Sequence, residues 1–280
     1  MPEIGAAGQR SVEEYEEALA ALHILTGTVL FEFARDGEGN RDIIIRNFIA
    51  RSDMTARAVF DLCHMEDYQD CWVLHRCLLD RLFHLRYLSD TDSFDPFEAW
   101  SFLRQYKANR RILSDPDVSD AAKGEALGLT EEARRRGDDL SKNPPAWRRP
   151  KAKDVAQAMD MRFLYAYSYD FASGHVHPMA NDGDQDFHTI TGLKPPAPYP
   201  EQLTVLGNTV LIATMIVQEG LNASTLNWRR LVYDLLDDLR VLLGTGSPDY
   251  RRRLAVMVSE VQKGTAMCEP RSSSDGVDTA

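Results

Sequence analysis

Between Tyr165 and Gly183 the chain reads YAYSYDFASGHVHPMANDG, with Tyr165, Tyr169, Ser173 and His177 recurring every four residues. That spacing places side chains on one face of an α-helix, so while the helix lasts these groups form a polar stripe. Gly174 and Pro178 mark where regular structure should fail, which puts His177 at or just past a helix C-terminus. The helix dipole there favours the charged imidazole and suits it to bind an anion or donate a proton. A plainer reading is equally physical: a tyrosine stripe packed as core with a polar edge, and His175 or His177 capping carbonyls.

A second stripe with the same spacing, Arg76, Asp80 and His84, lies in CWVLHRCLLDRLFHLRYL. Its surroundings are apolar, so Arg76 and Asp80 are expected to face protein, where a charge must be paired. Paired with Asp80, Arg76 could orient His177 or bind a substrate anion; alternatively the pair is a structural salt bridge that fixes helix packing.

These residues carry a resemblance. LHRCLLDRLFHLRYLSD, a downstream Trp147, and YAYSYDFASGHVHP together resemble a family of uncharacterised bacterial all-helical proteins, one of the numbered domains of unknown function. Its pattern is an Arg followed four residues later by an acid, usually Glu, and then a Tyr, Ser and His series closing a later helix. The resemblance implies a helical fold and a site at Arg76, Asp80, Tyr169, Ser173 and His177, but no activity. Asp80 stands where Glu is usual and reaches one methylene less far.

Other chemistries compete. HEPN-type RNases use an Arg, a short gap and a His near a helix end, and RAVFDLCH, Arg57 to His64, has an allowed gap. That reading requires a homodimer to bring two sites onto one RNA. A metal could be held by His175 and His177 with Asp182 or Asp184, although the spacing is unspecific. Di-iron bundles need an ExxH pair, and the chain offers only a DxxH, Asp61 with His64. No GxxxxGK, GxGxxG or GxSxG occurs, which argues against the corresponding nucleotide sites and hydrolase elbow. The residues do not identify a cofactor. His188 has no assigned role.

The elements that must position these groups read as helices. Ser11 and Glu14 form a capping-box spacing ahead of a helix to about Arg35. Asn40 is expected to cap a second helix, a third runs from about Asp67 to Ser89, and Asp95, Pro96 and Glu98 open a fourth. NPPAWRRP interrupts the chain near 143–150, a helix from about Ala152 to Ser173 follows, and a long irregular loop comes next. Helices from about Glu201 to Glu219, Leu221 to Leu243 and Pro248 to Lys263 complete a single all-α bundle of seven to nine helices over 1–267, with a disordered tail at 268–280. Nothing shows the period-two alternation that would require a sheet.

The 280 residues, 44% hydrophobic and 27% charged, are ordinary for a globular chain. A net charge of -11 argues against a protein that grips nucleic acid mainly by a basic surface. Four cysteines without CxxC spacing, no apolar N-terminal leader and no membrane-length apolar run set the expectation of a cytoplasmic protein off the membrane, with an anionic small molecule or RNA as ligand.

Overall fold

The structure is a computed structural model, and it describes residues 11–120, 123, 130–177, 179–180, 183–193, 201–245 and 249–271. Among the described residues it is all-α apart from one antiparallel strand pair. The chain divides into two compact units, residues 1–87 with 151–280, and residues 88–150, where the sequence reading has one domain.

In the first unit, α1 (Val12–Asp36) opens with the expected capping box: Ser11 Oγ accepts from the Glu14 amide and Glu14 accepts from the Ser11 amide at 2.9 Å. The second helix, α2 (Gly39–His64), starts before Asn40, and its cap position, Glu38, donates its amide to buried Asp42 instead. One face of each helix supplies the core, with Leu22, Leu25, Val29, Ile45 and Ile49 excluded from solvent. Residues 68–87 of α3 (Tyr68–Asp90) belong to this unit, and Leu78, Leu82 and Leu85 of the expected leucine seam are fully buried.

After the second unit the chain returns as α6 (Ala152–Ala158), turns at Asp160 with φ +54°, and resumes as α7 (Arg162–Leu164). A π-helical turn, Tyr165–Tyr169, leads into α8 (Asp170–Gly174). The single helix expected over this stretch is therefore broken by a left-handed residue, a conformation that short polar side chains such as Asp tolerate best. The expected irregular loop contains a helix, α9 (Asp184–Thr191). Next come α10 (Glu201–Ala223), α11 (Arg230–Thr245) and α12 (Tyr250–Gln262). The most extensive helix contacts of the unit are made by α10 with α2 and by α1 with both.

A β-pair closes this core. Leu226–Trp228 pairs antiparallel with Cys268–Pro270, so the start of the expected tail is a strand. Trp228 packs on Phe33 at 5.2 Å and donates its indole N–H to Ser224 at 2.8 Å, while Asp42 accepts the Thr225 amide at 3.0 Å. Strand pairing over three residues carries no period-two signal, which is why it was not legible. Val12–Asp36 and Leu203–Ala223 are apolar and long enough to cross a membrane by length and composition, but 50% and 56% of those windows is buried inside the protein, as in core helices.

The second unit packs α4 (Phe94–Ser114) with α5 (Glu131–Lys142). Asp95 falls in the first turn of α4, and the cap position is Ser93. Trp147, 7% exposed, sits in an aromatic cluster with Phe97 at 4.9 Å and Trp100 at 4.7 Å.

Candidate functional site

The last turns of the 162–174 segment lie against α3. There Arg76 donates from Nε to Ser173 Oγ at 3.0 Å and from Nη2 to the Tyr169 hydroxyl at 2.8 Å. Tyr169 donates in turn to Asp80 Oδ1 at 3.1 Å, and the second Asp80 oxygen lies 3.9 Å from Arg76 Nη1. Ser173 donates to the Tyr169 carbonyl at 2.7 Å, the usual i−4 bond of a helical serine. Four of the five residues singled out from the sequence thus form one hydrogen-bonded ring, closed through Arg76, Tyr169 and Ser173, with Asp80 joined to it by the Tyr169 phenol.

Burial and the neighbouring Asp80 carboxylate raise the Tyr169 phenol above its ordinary range, so it keeps its proton as donor. The Arg76 guanidinium also lies 4.8 Å from the Tyr169 ring centroid. Asp80 and Arg76 are i,i+4 neighbours, but at 3.9 Å their direct pairing is loose, and the phenol bridges them. The side chains of Arg76 and Asp80 remain 24% and 37% exposed, so the ring sits at the surface of the core rather than within it.

His177 stands apart. The helix ends at Gly174, His175 takes the cap, and His177 is exposed in the turn beyond, with no hydrogen bond, ion pair or ring contact to Arg76, Asp80, Tyr169 or Ser173. The four-residue register assumed that the helix would carry the imidazole one more turn, and it does not. His175 packs between rings, 6.2 Å from Trp72 and 5.2 Å from Phe171. His84 meets the Asp80 backbone, with Nδ1 donating to the Asp80 carbonyl at 2.7 Å.

Sequence reasoning missed His75. It is fully buried, with Nε2 2.8 Å from Ser168 Oγ and Nδ1 3.4 Å from Thr209 Oγ1. Burial lowers its pKa to about 4, so it is neutral. One hydroxyl donates and the other accepts, which an imidazole between two serine-type groups permits. The only sequence signal was a histidine inside an apolar helix. Together His75 and Arg76 fasten adjacent positions of α3 to adjacent positions, Ser168 and Tyr169, of the π-helical turn.

That turn also shapes a cleft on its other side. The Asp170 amide donates to the Tyr165 carbonyl, an i→i+5 bond. In an α-helix residues five apart diverge by about 140°, given roughly 3.6 residues per turn; here Tyr165 and Asp170 line one cleft of about 390 Å³ against α6. Tyr165 stacks on Tyr169 at 5.4 Å, linking the cleft wall to the Arg76 ring.

The remaining candidates are dispersed. Arg57 and His64 are exposed on α2, and His64 pairs with Glu16 at 2.7 Å. Asp184 lies 3.9 Å from His188, and Asp182 falls outside the described residues. Among the described residues the one grouping with metal-ligand geometry is Glu32, Asp36 and Cys268. Its buried Glu32 already accepts from the Met267 amide and from Arg35, which accounts for the group structurally.

The model of a family of unknown function, DUF5677, matches residues 42–190, a span that includes α3, the π-helical turn and the cleft. No curated protein and no solved structure matches the chain.

Proposed function

The chain belongs to DUF5677, and from that membership and the geometry of its first unit we propose that it is a non-catalytic helical binding module, a sensor or interaction unit, that takes an anionic or nucleotide-like small molecule. One observation carries this reading. The arginine, phenol, hydroxyl and carboxylate converge in a ring, whereas the imidazole that acid–base chemistry would use, His177, stands exposed and unconnected to them. Histidine is the commonest general acid–base group, and none joins this ring, whose Tyr169 phenol and Asp80 carboxylate are already engaged with each other.

In this reading Arg76 is the group that meets negative charge, Asp80 orients it, Tyr169 and Ser173 position it, and His177 has no proton-transfer role. The RNase alternative rests on Arg57 and His64 alone, and it predicts that R57A and H64A abolish cleavage of RNA. A cytoplasmic setting is part of the proposal and is supported by four reduced thiols, three of them buried.

The test is thermal melting of the full chain against a panel of carboxylates, phosphates and nucleotides. Some member should raise Tm, His177→Ala should preserve that rise, and Arg76→Ala should diminish it. A panel without effect would remove the ligand; loss of the effect in a normally stable His177→Ala protein would restore the imidazole to the site.

A further inference from the structure

We propose that the cleft between α6 and the π-helical turn binds a small phosphomonoester; this goes beyond the binding-module reading, which places negative charge at Arg76, by adding a second site with its own ligand class. Three observations converge on the cleft. It has volume: about 390 Å³, within the range of roughly 300–1,000 Å³ typical of small-molecule sites. Its space has a cause, because buried Ala156 and exposed Ala166 present only methyl groups where α6 and the π-helical turn face each other. Left-handed Asp160 turns the chain so that those two elements oppose.

The rim supplies the chemistry. Lys153 and Arg162 line the cleft, and among the described residues neither makes an ion pair or hydrogen bond. Two cations without carboxylate partners, in a chain of net charge -11, form a local basic spot suited to one phosphate through charge-assisted hydrogen bonds. Asp170 lines the same cleft and can accept from a hydroxyl or amino group on the ligand body. Its negative charge also disfavours a chain of phosphates, which selects a monoester over a triphosphate. The Tyr165 ring and the two alanines meet the less polar part of the ligand, and Gln157 offers both a donor and an acceptor.

The structure also gives the site a link to the rest of the unit. Tyr165 stacks on Tyr169, which the Arg76 ring holds, so the wall of the cleft is set by bonds that reach α3.

The experiment is calorimetric titration of the full chain at low ionic strength with AMP, ribose 5-phosphate, ATP and adenosine. Saturable binding of AMP or ribose 5-phosphate is expected, tighter than ATP, with no saturation by adenosine. Lys153→Ala and Arg162→Ala should each weaken it by about tenfold or more, the scale of one lost charge-assisted hydrogen bond, while K153R and R162K retain most of it. Both positions are exposed, and an unchanged Tm confirms intact folding. Absence of binding by both monoesters, tighter binding of ATP, or binding indifferent to both alanine variants overturns the proposal. If Arg76→Ala removes binding while both cleft variants keep it, the ligand sits at the Arg76 ring: the cleft assignment fails and the module reading stands.

Discussion

Arg76 donates to the hydroxyl of Tyr169 at 2.8 Å across 93 positions of sequence, and the same hydroxyl donates onward to Asp80 at 3.1 Å. One phenol thus mediates between a guanidinium and a carboxylate that sit one helical turn apart and approach each other directly only to 3.9 Å. The relationship fastens α3 to the π-helical turn, and its removal has measurable consequences.

Arg76→Ala leaves Tyr169 and Ser173 without their donor and Asp80 without its counter-charge. Because the arginine is partly solvated, the expected loss is about 1–3 kcal/mol, less than for a sealed ion pair. Arg76→Lys retains charge but lacks the planar fork that serves Ser173 and Tyr169 together, and should recover less than half. Chemical denaturation of the three proteins provides the comparison.

Stability should decline in mild acid because of His75. Its pKa is depressed to about 4 in the folded protein from an ordinary 6.5, so below pH 6.5 the unfolded chain binds the proton that the folded chain refuses. The stabilisation is complete above about 6.5 and is lost as the pH falls towards 4, a contribution on the order of 3 kcal/mol. His75→Gln, which cannot titrate, should flatten this part of the curve; an identical slope in that variant would assign the acid sensitivity to other groups.

Gly137→Ala should destabilise the second unit. A Cβ there would lie 2.5 Å from two atoms of the Tyr106 ring, whose hydroxyl is tied to Asp138 at 2.7 Å. Alanine gains up to about 1 kcal/mol in helix propensity over glycine, yet displacing the ring costs about 1–3 kcal/mol, so Tm should fall. A rise in Tm would show that the ring yields freely.

Thiol titration should distinguish the cysteines. Cys63, Cys71 and Cys268 are buried. The Cys71 thiol is held far above its usual range by its hydrogen bond with Cys63 and by burial, and Cys268 is pushed up to about 12 by burial and by Glu32. A disulfide-exchange reagent at pH 8 should modify Cys77 first in the native protein, and all four only after denaturation.

Much of the frame was legible in the sequence because its signals are local. The Ser11–Glu14 box, the buried Leu78, Leu82 and Leu85, and the interruption at NPPAWRRP follow from spacing and side-chain chemistry within a few residues. That Arg76 needs partners was also anticipated, since a charge among apolar neighbours must be paired, but charge burial named Asp80, and Tyr169 and Ser173 came from the resemblance. What remained hidden depends on departures from α-helical geometry: the left-handed Asp160, the i→i+5 bond from Asp170 to Tyr165, and the early end at Gly174 that leaves His177 outside. None has a composition of its own, because YAYSY is compatible with either helix type.

By itself, then, the sequence determined an all-α chain, the helix that carries Arg76 and Asp80, and the residues able to meet them, because periodicity and charge burial act along the chain. Only the tertiary structure decided that His75 rather than His177 joins the contact between α3 and the π-helical turn, and that Lys153, Arg162 and Asp170 share a cleft. Those outcomes turn on the phase of a helix, which a single extra residue in one turn resets and which packing against α3 and α10 selects.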